Sequence, residues 1–151
     1  MRLVGKHTHQ LDDRNRFRVP VKFKSFFDGN KKSLYICPGR NLKCLYIVDE
    51  DRFDQMCAEL ETSILDGSEQ AELKAFILSN SQQVSVDKQG RVAVDQTLLD
   101  CVNIGKNIVT IGVGSYLEMW PEDTRDSIDK GIGVNFSELL KKLENLGNSG
   151  F

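Results

Sequence analysis

The sequence has few of the residue types and segments that identify several common classes of protein. Its 151 residues include three prolines, one tryptophan and two histidines, and no apolar run is long enough to span a membrane. The N-terminal residues lack an apolar stretch followed by a small-residue cleavage site, so we expect a cytoplasmic protein without a secretory signal. With 40% hydrophobic residues, the chain can bury a core within one domain or between two small halves.

The four cysteines lack the spacing of a metal or redox motif. They are Cys37, Cys44, Cys57 and Cys101. All lie among apolar neighbours and none forms a C-x-x-C pair, which favours buried free thiols over zinc or a disulfide. His7 and His9 alternate on one face of a predicted strand, but no nearby carboxylate or thiol completes a metal site. We therefore predict no metal and no cofactor.

Basic residues are concentrated at the start of the chain. Residues 1–32 contain nine Lys or Arg against three Asp, whereas the remaining residues contain eleven against nineteen Asp or Glu. A basic edge on an acidic body can present one positive face to phosphates. The same pattern also fits a hairpin whose charges are simply solvated.

One short motif occurs twice, 75 residues apart. Residues 11–19 read LDDRNRFRV and residues 86–94 read VDKQGRVAV, so both contain Asp-x-x-x-Arg flanked by apolar residues in the same register. We predict that Asp12 and Asp87 accept hydrogen bonds from the backbone of a turn, and that Arg16 and Arg91 pair with them. The residues before each Arg, Asn15 and Gly90, are the types that accept a positive φ most readily.

The hydrophobic pattern predicts an α+β protein whose second half repeats the first with shorter elements. We expect strands at 16–19, 34–37, 44–48, 83–86, 91–94, 107–111 and 116–120. We expect a short helix from Val21, a second helix through 53–60, a third from Ser68 that packs Leu73, Phe76 and Ile77 inward, and a brief helix at Leu98 and Leu99. A tail helix is predicted to open at Asn135, with Glu138 in capping-box spacing. Its apolar stripe needs a partner surface in this chain or in a neighbour: Phe136, Leu139, Leu140 and Leu143.

An enzyme is the main alternative class, and its signals are weak. Gly112-Val113-Gly114 has part of a phosphate-loop composition, but it joins two strands, opens no helix and lacks a third glycine. No orienting group can be assigned to a nucleophile. We therefore predict no catalytic residue.

The two motifs resemble the MraZ family of bacterial regulators. The resemblance covers residues 1 to about 130 and includes the continuation Arg16-Phe17-Arg18-Val19-Pro20 and the strand that ends in Met119-Trp120. It implies a duplicated swapped-hairpin fold like that of AbrB and SpoVT, with a β-barrel core that forms a pseudo-dimer within one chain. It also implies a nucleoid-associated transcriptional regulator of the division and cell-wall gene cluster. Such a regulator would bind short repeated boxes in double-stranded promoter DNA as a homo-oligomeric ring of the octamer class.

Candidate DNA-binding residues are the basic side chains in and after the two turns: Arg14, Arg16, Arg18, Lys22, Lys88 and Arg91. The first hairpin carries more of them, with Lys24 close by, and Asp95 follows the second motif where the family usually has Pro. We therefore expect the first hairpin to dominate DNA binding, and Arg91 to act mainly by stabilising its own turn.

The expected organisation is a first repeat with two following helices (1–75), a second repeat (76–130) and a C-terminal helix and tail (131–151). A third functional class stays open: a non-catalytic oligomeric interaction module, or an antitoxin-like protein of the same fold. Steep loss of DNA affinity with salt would distinguish a regulator from such a module.

Overall fold

The computed structural model describes residues 2–29, 32–62, 65–147 and 150. The strands of these ranges are β1 (Lys6–Gln10), β2 (Arg16–Arg18), β3 (Leu34–Pro38), β4 (Leu45–Asp49), β5 (Gln82–Gln83), β6 (Arg91–Ala93), β7 (Asn107–Gly112) and β8 (Leu117–Pro121). The α-helices are α1 (Lys24–Asp28), α2 (Glu50–Glu61), α3 (Gly67–Ser79), α4 (Gln96–Cys101) and α5 (Glu122–Asn145), with 3₁₀ turns at Val21–Phe23 and Arg40–Leu42. The predicted α+β class is confirmed.

Strands of the two repeats interleave in one antiparallel six-stranded sheet of order β1-β7-β8-β4-β3-β5. β1 of the first repeat pairs with β7 of the second, and β5 of the second pairs with β3 of the first. At the centre of the sheet, β4 and β8 pair antiparallel, and Tyr46 lies opposite Glu118 at the midpoint of their pairing. The first strand of each repeat therefore pairs with a strand of the other repeat, as in a swapped hairpin.

The expected closed barrel is not found among the described residues, where the sheet is open at β1 and β5. β5 pairs with β3 over only two residues, Gln82 and Gln83, and no strand of the described ranges pairs β5 with β1. The chain instead leaves the sheet after each first strand and forms a separate two-stranded ribbon, β2 paired with β6. We call this pair the ribbon.

The core lies between the sheet, the ribbon and the short helices that follow each motif. Phe17 of β2 and Val92 of β6 are Cα partners in the ribbon, and both are almost fully buried. Phe23, at the end of the 3₁₀ turn before α1, and Leu98 of α4 are 75 residues apart and belong to the same cluster. Burying large side chains of this kind contributes roughly 1.5–3 kcal/mol each, so the two halves depend on a shared core.

Two helix predictions are wrong. On α3, Leu73 and Phe76 are more than one third exposed, because this helix packs mainly on α2 and β3. α5 begins at Glu122 rather than near Asn135, since Pro121 precedes it and acidic Glu122 and Asp123 occupy its first turn, where negative charge is favoured.

Asn135 therefore lies inside α5. Its side-chain amide donates to the carbonyl of Gly131, 3.1 Å away, instead of capping a helix N-terminus. The boundaries proposed at 75/76 and 130/131 both fall within helices, α3 and α5 respectively. That division stays a prediction.

Candidate nucleic-acid interface

The first turn (residues 12–15) is closed by the side chain of Asp12. Its Oδ1 accepts hydrogen bonds from the backbone N–H groups of Arg14 and Arg16, both at 2.9 Å, and its Oδ2 accepts from Arg16 Nε at 2.8 Å. The backbone closes the same loop, with Asn15 N donating to Asp12 O at 3.0 Å. Asn15 has φ 58°, as its side-chain type predicted.

The second turn (residues 87–90) has the same geometry. Asp87 Oδ1 accepts from the N–H groups of Gln89 and Arg91 at 2.9 and 2.8 Å, and Oδ2 accepts from Arg91 Nε at 3.0 Å. Gly90 takes the positive φ, at 76°. The predicted Asp–Arg pairing and turn conformation are thus present in both copies.

These hydrogen bonds stabilise the charged form of both carboxylates. The backbone N–H of Arg16, helped by that of Arg14 and by the Arg16 guanidinium, lowers the pKa of Asp12 to about 2. The backbone N–H of Arg91 is the main cause of a lowered pKa at Asp87, and its side chain adds to it. Both turns therefore keep their ion pairs throughout the neutral range.

The ribbon presents its arginines on one outer face. Its register pairs Arg16 with Ala93, Phe17 with Val92, and Arg18 with Arg91. Because side chains alternate along a strand, burying Phe17 and Val92 puts the other residues on the opposite, solvent-facing side. Arg16 and Arg91 each use Nε on their Asp, while their Nη groups make no hydrogen bond to a described residue.

Reciprocal bonds tie each turn to the other repeat. Val94 N donates to Asn15 O, and Val19 N donates to Gly90 O, both at 2.9 Å. The side chains break this symmetry, because Asn15 Nδ2 donates to Gln96 Oε1 at 2.8 Å and Gly90 has no counterpart to that bond. The two turns are held as one rigid face but have different neighbours.

The predicted DNA-binding residues do not all meet. Arg14 and Lys88 are exposed on their own turns, whereas Arg18 reaches across the ribbon and donates from Nη1 to Gln89 O of the second turn at 2.9 Å. Lys22 points away towards β1 and donates to the backbone carbonyl of Lys6 at 2.7 Å. The interpretation of Arg18 as part of the first hairpin's surface is therefore revised.

Sequence reasoning missed Gln96 and the contact between Arg18 and Gln89. Gln96 lies 81 residues from the Asn15 side chain that it accepts from, and Arg18 lies 71 residues from Gln89. No local pattern reports a pairing across such separations. The only signal was the repetition of the motif in the same register, which suits a pairing of the two hairpins like that of a two-fold dimer.

The cysteines and the other potential metal ligands show no arrangement for chemistry among the described residues. Burial raises the pKa of the Cys37 and Cys44 thiols to about 12, while Cys57 and Cys101 are only partly buried, contrary to the prediction for all four. Within the described ranges, no cluster of three or more His, Cys, Asp or Glu is arranged to hold a metal ion. Of the helices described above, none is both long and apolar enough to cross a lipid bilayer.

Comparisons with known proteins point to one family. A family model described as "MraZ protein, putative antitoxin-like" matches residues 77–141, which include the second motif. The transcriptional regulator MraZ of Bifidobacterium longum is 32% identical over 146 residues, which span 94% of this chain and 95% of that protein. The protein of the same name from Clostridium beijerinckii is 31% identical over 144 residues, spanning 95% and 98%. That from Clostridium tetani is 27% identical with the same coverage.

Proposed function

The chain belongs to the MraZ family, and from that premise we propose that it is a sequence-specific transcriptional regulator that binds double-stranded DNA through the outer face of the ribbon. Its target is the promoter of the division and cell-wall gene cluster, which it contacts at short repeated boxes. This role locates the protein on the nucleoid, in the cytoplasm. The named relatives are transcriptional regulators, and the proposal assigns no catalytic residue.

The observation that carries the proposal is the outer face of the ribbon. Arg16, Arg18 and Arg91 share it, and in both Asp–Arg pairs the hydrogen bond to the carboxylate is made by Nε, which leaves the Nη groups without a hydrogen bond to a described residue. A guanidinium that is oriented by a carboxylate can still donate to a phosphate or to the O6 and N7 atoms of guanine. The turns therefore hold two arginines in matching orientations before DNA arrives, which limits the entropy lost on binding.

The other basic residues fit phosphate contacts. Arg14 and Lys88 are exposed and flank the ribbon face, where backbone contacts would fix the register without reading sequence. Each such contact releases counterions, so the slope of log affinity against log salt reports how many phosphates are neutralised. Lys22 is a weaker candidate, because its ammonium is already bound to the Lys6 carbonyl.

We propose further that the protein acts as a homo-oligomeric ring. α5 presents apolar side chains without a covering surface among the described residues, including Ile132, Phe136 and Leu139, which are 47%, 52% and 41% exposed. A single ribbon offers few contacts to bases. Joining several ribbons in one ring raises their effective concentration at repeated boxes and can increase affinity by roughly 10² to 10⁴.

Binding to the chain's own upstream region tests the function. Fluorescence anisotropy would compare a labelled duplex from that region with a scrambled duplex of the same composition, over a salt series. We expect preference for the upstream duplex by a factor of about 10³ or more. Equal binding of both duplexes would refute a sequence-specific regulator.

An oligomeric interaction module is the second candidate, and the exposed apolar surface of α3 and α5 favours it. The matching family model is itself described as antitoxin-like. In this case the ribbon serves assembly or a protein partner. The same salt series separates the two, because such a module has no salt-dependent DNA affinity to lose.

A further inference from the structure

A cation of the first repeat contacts the second turn. Arg18 lies in β2, but its Cα is paired with that of Arg91, and its Nη1 donates to the carbonyl of Gln89 at 2.9 Å. The side chain is exposed, and this bond engages one of its five N–H donors. The guanidinium is therefore fixed over the second turn with donors still available.

A groove extends this basic surface. It is lined by Arg18 and Lys24 of the first repeat together with Gln89 and Gly90 of the second turn, and Asp28 is the carboxylate along its wall. Lys24 and Asp28 are both exposed. With Lys88 and Arg91, the cations at this end of the ribbon outnumber the carboxylates.

The first turn lacks equivalents of these cations. The residues 75 positions away from Lys88, Arg18 and Lys24 are acidic or apolar, namely Asp13, Ala93 and Leu99. The Asn15 side chain donates to Gln96, whose amide in turn donates to Asp100 at 2.8 Å. Arg14 and Arg16 thus share their end of the ribbon with Asp13 and with a second-repeat helix that bears Asp100.

We propose that the second turn, completed by Arg18 and Lys24, is the principal phosphate-binding end of each subunit, which reverses the order that the linear sequence suggests. The inference rests on the proposed function, since it assigns phosphates of the same DNA duplex to one end of the ribbon. Positive charge that is concentrated at one end raises local attraction for the backbone more than the same charge interleaved with carboxylates.

Matched removal of single charges tests the proposal. Arg18→Gln and Lys88→Gln remove cations from the second end, and Arg14→Gln removes an exposed arginine from the first. Each variant is titrated with the upstream duplex and with the scrambled duplex over a salt series, after circular dichroism and light scattering have verified fold and assembly. Arg18→Lys restores the charge, so it separates a phosphate contact from the hydrogen bond to Gln89.

We expect Arg18→Gln and Lys88→Gln each to reduce the salt slope by about 1 on both duplexes, with Arg18→Lys close to the original protein and Arg14→Gln changing the slope less. A loss for Arg14→Gln as large as that for Arg18→Gln would overturn the proposal, as would an unchanged slope for Arg18→Gln. Equal affinity of the original protein for both duplexes refutes sequence-specific regulation alone, because the phosphate contacts are still measured on either duplex. No binding to any duplex refutes both.

Discussion

At the scale of single residues, the two Asp–Arg pairs are closely similar in geometry and in exposure. Their Nε to Oδ2 distances are 2.8 and 3.0 Å, and the arginine side chains are 24% and 25% exposed. Ion pairs this exposed contribute little to stability by themselves, and each Asp keeps its backbone hydrogen bonds when the Arg is removed. The geometry gives no reason for Arg91 to matter more to stability than Arg16, contrary to the expectation from the sequence.

We therefore predict that Arg16→Ala and Arg91→Ala lower the melting temperature by similar small amounts. Each should weaken binding to the upstream duplex by about ten- to a hundredfold, the range for losing one bidentate base contact. Lys43→Ala, which removes an exposed cation outside the ribbon, is the control. A variant that kept full affinity would exclude its arginine from the binding site, and a large melting shift for one alone would show that the pairs are not equivalent.

His9 should make stability depend on pH. Burial, and secondarily the charge of His7, lower its pKa from 6.5 to about 4, and its Nε2 lies 2.9 Å from Thr110 Oγ1. Between pH 6.5 and pH 4 the unfolded chain binds a proton at His9 that the folded chain does not bind. The contribution of neutral His9 to the free energy of unfolding is therefore complete above pH 6.5 and is lost as pH falls towards 4. After discounting for partial exposure, the loss is on the order of 1–2 kcal/mol.

Urea unfolding at pH 7 and pH 4.5 checks this prediction. His9→Gln keeps a hydrogen-bonding group for Thr110 but does not titrate, so its midpoint should fall less than that of the original protein over this interval. If both proteins lose the same stability, the source of the acid sensitivity is another group.

At the scale of elements, the turns were predictable because their causes are local. An Asp followed four residues later by Arg, with Asn or Gly between them, specifies the acceptor, the donors and the positive φ within five residues. The start of α5 was not predictable in this way. Gly131 and Gly133 weaken the helix locally, but Arg125 stacks 4.5 Å from the Trp120 ring and pairs with Asp129. These contacts stabilise a helix that begins at Glu122, more than three turns before the cap predicted at Asn135.

The second turn should tolerate asparagine but not a branched residue. Gly90 has φ 76° and no atom within 4 Å of an added Cβ, so the conformation alone determines the cost. Gly90→Asn should be nearly neutral, because Asn15 occupies the equivalent position, whereas Gly90→Val should cost about 1–2 kcal/mol. Chemical denaturation measures both free energies of unfolding, and equal losses for Asn and Val would contradict a purely conformational role.

At the scale of the whole molecule, the sequence predicted two similar halves but not their charge distribution. The repeated Asp-x-x-x-Arg motif and the strand pattern indicated the duplication, and the family resemblance indicated that the hairpins are exchanged. Because the hairpins are exchanged, Arg18 of the first repeat contacts the turn of the second repeat. A count of charges along the chain therefore assigns Arg18 to the wrong end of the ribbon. Closure of the sheet was also beyond the sequence, because it depends on how far β5 remains paired with β3.

The proposed ring assembles, in our interpretation, through the apolar stripe of α5, and a variant that disrupts this stripe gives the last prediction. Phe136 and Leu139 are three residues apart on one side of the helix, and Ile132 and Leu143 lie one turn away on either side. Val134, which is 85% exposed, lies on the opposite side by helical periodicity and serves as a matched control. Replacing Phe136 and Leu139 by Glu introduces charges that would remain unpaired in an apolar interface, whereas Val134→Glu should leave assembly unchanged.

Light scattering of the Phe136→Glu, Leu139→Glu double variant should therefore give a smaller particle than the original protein at micromolar concentration. Its affinity for a duplex with several promoter boxes should fall by roughly 10² to 10⁴, because the ribbons no longer bind as a linked set. Affinity for a single box should change little, since the ribbon packs on a core cluster that includes no residue of α5. An unchanged particle size would mean that another surface forms the ring. Equal losses on single-box and multiple-box duplexes would mean that linkage contributes nothing to affinity.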